Sequence, residues 1–363
     1  MTDWGIFMKI TKKIKNILST ALIVTMMGSM LTGCSAGSKA EAASVLNFGA
    51  TNFSDSLDPS ALPNAAWCVS RYGIGEALFR FDDQMEADYY LCDDYSVNDE
   101  HTEWTFHIRE GVKFSNGKEL TASAVVDSIE YMYKQEKSGK GSTAPSQYMV
   151  YDSIKADDEA RTVTIKTSKA YADLTKALAH PFFSILDMES DLASKPIGTG
   201  PYAIDKYDTG VSIAMNANEH YWKEDVPYEK LNVIFIEDST TKAMALQNED
   251  VDVVENINTA NDLKTLKDSD DFNVSETVGV RIGFAYINQK GILKNDDLRQ
   301  AILTAIDDDT LCKVTVGGLY DAGASVLPST LDYGSDKLKD ATPYDEEKAN
   351  KILGDIIKVT PSS

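Results

Sequence analysis

Two arginines are the clearest candidates for recognising a ligand by charge. Arg71 lies next to Tyr72 in an otherwise apolar stretch that also contains Trp67, and Arg281 interrupts a second apolar run. A guanidinium group can bind a carboxylate through two parallel hydrogen bonds, which makes such an arginine a candidate anion contact. The alternative for each is a structural or surface ion pair, and the sequence leaves both interpretations open.

Patterns typical of catalysis or metal binding are missing from the sequence. The four histidines are widely spaced and form no metal-ligand pair at i,i+4; they are His101, His107, His180 and His220. No G-x-S-x-G nucleophile motif occurs. The stretch "PIGTGPY" lacks the third glycine of a phosphate loop and predicts a tight turn into a strand. Asp-rich runs at 268–271 and 307–310 lack the calcium-loop pattern. We therefore expect no enzyme activity, no metal and no cofactor.

The N-terminal segment has the pattern of an export signal. A lysine-rich stretch follows Met8, which is an alternative start to Met1, and residues 17–31 carry no charge. That run is shorter than the roughly 20 residues of a membrane-spanning helix. "LTGC", residues 31–34, resembles the bacterial lipobox, in which the cysteine carries diacylglycerol and becomes the first residue. We expect a lipoprotein signal peptide at 1–33, lipid attachment at Cys34 and a tether at 34–44. The alternative is a plain secreted protein.

Composition limits the classes of partner. The protein has 363 residues, with 57 acidic against 35 basic side chains and a formal net charge of −22. Such a surface does not bind nucleic acid or anionic lipid by general electrostatics. The length predicts more than one lobe. Beside Cys34 there are three cysteines, an odd number that forms no disulfide framework. Buried free thiols are favoured, although a bridge between Cys68 and Cys92 stays open.

Hydrophobic periodicity predicts a mixed α/β protein. Strict alternation over 104–109 predicts a half-buried strand. Its apolar face consists of Trp104, Phe106 and Ile108, and its polar face of Thr105, His107 and Arg109. A helix is predicted within 64–80. The acidic stretch 157–159 marks the tip of a hairpin.

Later segments predict a parallel part of a sheet. The continuously apolar run 231–236 predicts a strand covered on both faces. A capped helix and the strand "VDVVE" follow it, which indicates a β-α-β unit. "NDDLRQAILTAI" predicts a helix whose buried stripe is Leu298, Ala301, Ile302 and Ala305. A second helix after it is predicted to stop at Gly317.

Several stretches together resemble one protein family. They are "SDSLDPS", "WTFHIREGVKFSNGKELTASAVVDSI", "PIGTGPYAIDKYDTGVSIAMNANEHYW", "DSTTKAMALQNEDVDVV" and "FAYINQKGILKNDDLRQAILTAIDDDTL". Their order is similar to that of the extracellular solute-binding proteins, family 5, of peptide/nickel ABC importers. The resemblance covers about 45–345.

The resemblance implies a two-lobed α/β fold of the periplasmic-binding-protein type with an extra inserted subdomain. The first lobe is expected at 45–60 and 196–278, the inserted subdomain at 61–195, and a second lobe at 279–363. Family members are usually longer, so we expect a truncation at the C-terminus that leaves the second lobe incomplete. Solute is trapped in such folds when the lobes close about a hinge.

The resemblance also implies a function and a site. We expect a membrane-tethered extracellular solute-binding component of an ABC importer on the outer face of the cell membrane, monomeric, partnered by permease subunits, with a peptide as its solute. The expected ligand-binding residues are Trp67, Arg71, Tyr72 and Arg281, near the lobe boundary. Open alternatives are a nickel or metal-chelate binder, a binder of another small solute, a surface lipoprotein without a transport role, and an exported acidic hydrolase.

Overall fold

The structure, a computed structural model, describes residues 44–223, 226–323, 325–328, 330 and 342–359. The predictions for the signal peptide, Cys34 and all of the tether but its last residue therefore lie outside the described residues. Within the described ranges, no helix has both the length and the apolar character needed to cross a membrane.

Eleven strands and eight α-helices are found in the described part of the protein. The strands are β1 (Val45–Ala50), β2 (Phe79–Phe81), β3 (Ala87–Tyr89), β4 (Cys92–Val97), β5 (Glu103–Ile108), β6 (Tyr151–Asp157), β7 (Thr162–Thr167), β8 (Tyr202–Asp208), β9 (Ser212–Ala217), β10 (Lys230–Phe235) and β11 (Val253–Val254). The helices are α1 (Pro63–Arg71), α2 (Ala122–Ser138), α3 (Leu174–Leu178), α4 (Ser239–Gln247), α5 (Ala260–Lys267), α6 (Asp296–Thr304), α7 (Asp308–Thr315) and α8 (Glu346–Val359).

A five-stranded sheet has the order β11-β1-β10-β9-β8. Strand β1 lies between β10 and β11 and is parallel to both, whereas β9 and β8 are antiparallel additions. The predicted β-α-β unit is therefore confirmed as β10-α4-β11. The side chain of Asp238 caps α4 by accepting a hydrogen bond from the Thr241 backbone at 2.7 Å.

The prediction that 231–236 is covered on both faces is wrong. Leu231 and Val233 are buried, but the residues between and after them are partly exposed. The second face is only partly covered: Asn232 and Ile234 lie on it, and the Asn232 amide donates to Asn47 Oδ1 on the neighbouring strand at 2.9 Å. A short, mostly apolar run can therefore form a strand that is buried on one face only.

A second sheet has four antiparallel strands in the order β4-β5-β7-β6. The predicted alternation in β5 is confirmed, because Trp104, Phe106 and Ile108 are buried while Thr105 and His107 are partly exposed. Helix α2 packs on β6 and β7. The tip of the hairpin formed by β6 and β7 contacts the first turn of α2. There Asp158 accepts hydrogen bonds from the Ser123 backbone and hydroxyl at 2.8 and 2.7 Å.

Helix α1 links the cores of the two sheets. It begins at Pro63, where proline suits the first turn, and it ends at Arg71, just before Gly73 with φ +75°. Ala66 packs into the core of the four-stranded sheet, whereas Cys68 and Val69 pack into that of the five-stranded sheet.

The three cysteine thiols within the described residues are free. Cys68 lies in the core of the five-stranded sheet and Cys92 in that of the four-stranded sheet, and both are buried. The prediction of buried free thiols is confirmed for these two residues. The open alternative of a bridge between them is not realised.

Helix α6 is confirmed, but its predicted buried stripe is only partly right. Ala301 and Thr304 are buried, whereas Ile302 and Ala305 are exposed. The reason is that α6 packs against α8 on one side, where the Asp345 backbone also donates to the Thr304 carbonyl. Helix α7 ends at Thr315, and Gly317 follows with φ +63°, as predicted.

Candidate functional site

The candidate site lies at the carboxyl ends of the parallel strands β10, β1 and β11. Ligands of open α/β sheets bind at this edge, where loops leave the strands. Residues 51–54 leave β1 here, and residues 255–258 leave β11. Helix α1 lies next to the first of these loops, because the Asn64 amide donates to the Phe53 carbonyl at 3.4 Å.

A buried lysine holds these two loops together. The Lys242 ammonium group donates to Thr51 Oγ1 at 2.6 Å and to the carbonyl oxygens of Glu255 and Asn256 at 2.7 and 3.1 Å. The lysine is 1% exposed, and this burial lowers the pKa of its ammonium group. Three oxygen acceptors satisfy the buried donor, so the loop backbones are fixed independently of any ligand.

Arg71 is part of an ion pair. Its guanidinium group donates to Glu255 Oε2, and Glu255 Oε1 accepts a hydrogen bond from the Thr51 backbone at 3.0 Å. The Glu255 side chain is 9% exposed and that of Arg71 is 40% exposed. The charge of Arg71 is therefore balanced, and a ligand carboxylate would have to compete with Glu255 for it.

Tyr72 is buried beneath the loop that follows β1 and holds that loop by a hydrogen bond. The residue is 2% exposed, and its hydroxyl donates to the Asn52 carbonyl at 2.7 Å. Its ring packs against Phe48 and Phe235, with centroids 6.1 and 6.4 Å away. Burial raises the pKa of the Tyr72 hydroxyl well above its usual range, so the group acts as a neutral donor.

Trp67 is exposed and belongs to a group of rings. It lies one turn before Arg71 on the same face of α1, and 46% of the residue is exposed. Its ring meets His180 edge-on at 5.7 Å, and His180 stacks on Tyr148 at 4.0 Å. The ring of Phe182 completes the group, 4.4 Å from His180.

His180 is neutral in this environment. The Phe182 backbone N–H donates to His180 Nδ1 at 3.2 Å, which leaves the ring proton on Nε2. Burial lowers the pKa of His180 to about 4. The imidazole is therefore an uncharged ring with one N–H donor.

Arg281 is placed apart from the other predicted site residues. It is exposed and lies in a described segment, 271–290, that contains no helix or strand. Among the described residues, no hydrogen bond, ion pair or ring contact joins it to the α1 face. The structure thus brings together Trp67, Arg71 and Tyr72, but does not bring Arg281 to them.

Sequence reasoning missed Glu255, Lys242 and Tyr148, and it did not place His180 in this site. Glu255 directly follows a parallel strand, and that position was a usable signal. No signal in the sequence indicated the contact between Tyr148 and His180, because these residues lie in two loops that are far apart in sequence. In the described ranges, no group of three or more His, Cys, Asp or Glu side chains is arranged to hold a metal ion.

A second concavity lies along helix α2. It has a volume of about 660 Å³ and is lined mainly by residues at helical spacing together with Met188. Charges of both signs surround it, including Asp127, Glu130, Lys134 and Lys137. This concavity is the rival location for a solute.

The fold is that of the two-lobed α/β periplasmic binding proteins. NikA from Staphylococcus aureus in complex with Ni(L-His)2 superposes with a TM-score of 0.73 at 24% identity, over 86% of this protein and 64% of that one. DppA from Helicobacter pylori in complex with the peptide STSA gives the same TM-score and identity, over 86% and 66%.

Sequence comparison then defines the family. The profile of "Bacterial extracellular solute-binding proteins, family 5 Middle" matches residues 88–356, and this protein belongs to that family. Heme-binding protein A from Haemophilus influenzae is 27% identical over 292 residues, which is 73% of the sequence described here and 53% of that relative. The sequence spans about half the length of the curated relatives it matches.

Proposed function

We propose that this protein is the solute-binding component of an ABC importer and that its solute is a short peptide. One observation carries the proposal: the exposed Trp67 and the ion-paired Arg71 share one face of α1 beside the carboxyl ends of three parallel strands. Family membership and the likeness to DppA, whose structure contains a peptide, support it.

The proposal assigns a place to each part of the protein. The first lobe comprises 45–60 and 196–278, the inserted subdomain 61–195, and the second lobe begins at 279. Trp67 and Arg71 face the solute, Tyr72 positions the loop beneath it, and Arg281 approaches from the second lobe when the lobes close. The protein acts as a monomer with permease subunits as partners.

A nickel chelate is the second candidate solute. The observation that favours it is the equal TM-score of 0.73 to NikA, whose structure contains nickel bound by histidine. In that case the exposed rings of Trp67 and Tyr148 would receive the organic part of the chelate.

Calorimetry distinguishes the two candidates. The purified protein is titrated with a panel of di- and tripeptides and, separately, with nickel–histidine. We expect heat of binding from at least some peptides, weakened by Trp67→Ala and unchanged by the matched exposed-ring variant Tyr89→Ala. Binding of nickel–histidine with no peptide binding would contradict the peptide proposal.

We further propose that Cys34 anchors the protein to the outer face of the cell membrane, with residues 1–33 as its signal peptide. Two acyl chains give stable anchoring. We expect labelled fatty acid to be incorporated into the wild type, while Cys34→Ala carries no label and is secreted or remains an unprocessed precursor. Label retained on Cys34→Ala would refute the anchor.

A further inference from the structure

We propose that the site selects peptides with an aromatic side chain, whose planar ring stacks on an aromatic surface formed by Phe53, Trp67, Tyr148 and His180. This inference rests on the proposed function, because it requires that the α1 face line the solute site. It concerns specificity, because the solute is recognised by stacking on ring faces rather than by the charge of Arg71.

The exposure of the rings is the first observation. Trp67, Phe53 and Tyr148 are 46%, 38% and 38% exposed, whereas the large apolar side chains that form the two cores are buried. Helix α1 lies beside them: the Asn64 amide donates to the backbone carbonyl of Phe53, and the Trp67 ring contacts His180, on which Tyr148 stacks. A set of half-exposed rings of this kind offers stacking faces without any rearrangement of the backbone.

Rigid support beneath the rings is the second observation. Phe53 packs against Phe235 at 6.0 Å, and His180 is fixed by its own hydrogen bond from Phe182 and by the ring of Phe182. Rings that are already held lose little side-chain freedom when a ligand binds. The aromatic surface is therefore organised before the solute arrives.

Charge is the third observation. The only cation within α1 is Arg71, and Glu255 already balances it. His180 adds an uncharged ring with an Nε2–H donor, which suits a neutral acceptor such as a peptide carbonyl. An acidic side chain would lose its hydration here and gain no unpaired cation from α1, whereas an aromatic side chain gains stacking contacts.

The size of the preference follows from ring stacking. An aromatic pair contributes an amount that corresponds to roughly a 2- to 12-fold change in affinity beyond simple burial. We therefore expect Ala-Phe to bind roughly 2- to 12-fold more tightly than Ala-Leu, and Ala-Leu more tightly than Ala-Glu.

Fluorine NMR of the full-length protein labelled with 5-fluorotryptophan reports on the contact directly. The resonance of Trp67 is assigned by its absence from the spectrum of Trp67→Phe. The resonances of the buried Trp104 and the partly buried Trp222 serve as internal controls. We expect Ala-Phe to shift the Trp67 resonance and to leave Trp104 unchanged. Ala-Leu should shift Trp67 less at the same occupancy.

Calorimetry with the same dipeptides completes the test. Trp67→Ala should lower the affinity for Ala-Phe by about 2- to 12-fold and that for Ala-Leu by less. Trp67→Phe should keep the preference, and Tyr89→Ala, an exposed ring on β3, should change neither affinity. Trp67 is exposed on one side of a helix, so these variants are expected to fold.

Two outcomes would overturn the inference in different ways. If Ala-Phe and Ala-Leu bind equally and Trp67→Ala weakens neither, the specificity is wrong while the peptide function stands. If no dipeptide binds the wild type, the proposed peptide function fails, and the inference fails with it.

Discussion

At the scale of the residue, the positive charge on the α1 face is balanced within the protein, because Arg71 is paired with Glu255. Arg71 and Trp67 were recognisable because a charge and a large ring in an apolar stretch need an explanation. The partner of Arg71 is Glu255, 184 positions away, and no local pattern links the two. Whether an arginine faces a ligand or a carboxylate of its own protein is decided by tertiary structure, which periodicity does not report.

His180 makes the stability of the protein depend on pH. Its pKa is lowered from 6.5 to about 4, so the unfolded state binds a proton more readily than the folded one. The stabilisation is present above pH 6.5 and is lost as the pH falls towards 4. We expect the free energy of unfolding to fall over this range by up to about 2 kcal/mol from this residue, discounted for its partial exposure.

Denaturant titrations at several pH values test this expectation. The difference in unfolding free energy between the wild type and His180→Gln should shrink as the pH falls from 6.5 to 4. A constant difference for His180→Gln across this range would contradict the account.

At the scale of the element, alternation was a better guide than an apolar run. The period of two in β5 correctly assigned its buried face, because successive side chains of a strand point to opposite sides. The run 231–236 did not reveal that the face of β10 with Asn232 and Ile234 is only partly covered, or that Asn232 bonds to Asn47 on the neighbouring strand. In α6, helical spacing identified residues that share a face but not how much of that face a neighbour covers.

Strand β5 provides a direct test of this alternation. Phe106 is fully buried, so Phe106→Ala should lower the free energy of unfolding by roughly 3–5 kcal/mol through lost burial and a cavity. The neighbouring His107→Ala should cost below about 1 kcal/mol, because it removes only an exposed pair with Asp93. Equal, small shifts of the denaturant midpoint for both variants would contradict the structure.

The connection between the two sheets depends on glycine. The Gly200 backbone donates to the Ile74 carbonyl at 3.1 Å, and the Tyr202 backbone donates to the Gly73 carbonyl at 3.0 Å. A Cβ atom on Gly200 would lie 2.3 Å from the Gly73 carbonyl oxygen. The sequence "GTGPY" predicted the turn, but only the structure shows the backbone that approaches it.

Gly200→Ala should therefore be destabilising, by roughly 1–3 kcal/mol or more, because backbone atoms must move to admit the methyl group. Gly283→Ala is the matched control, since a Cβ atom there meets nothing within 4 Å. Thermal unfolding of the two variants compares them. An unchanged melting temperature for Gly200→Ala would contradict the close approach of Gly200 to the Gly73 carbonyl.

At the scale of the whole molecule, the fold could be predicted from the order of the family motifs, whereas the site could be predicted only in part. The motifs build strands, turns and the glycine junction, and these identify the architecture but not the solute. The candidate site arises where loops from β1 and β11 meet α1, a junction that the topology creates and no single motif encodes. Tyr148 and His180 join it from the loops that precede β6 and follow α3.

The central claim is that solute binds on the α1 face at the carboxyl ends of the parallel strands. The most direct measurement is a crystal structure of the protein with the tightest dipeptide from the calorimetric panel. The account predicts density for the dipeptide in contact with Trp67 and close to the pair of Arg71 and Glu255. A dipeptide bound instead in the 660 Å³ concavity along α2, with the α1 face empty, would contradict it.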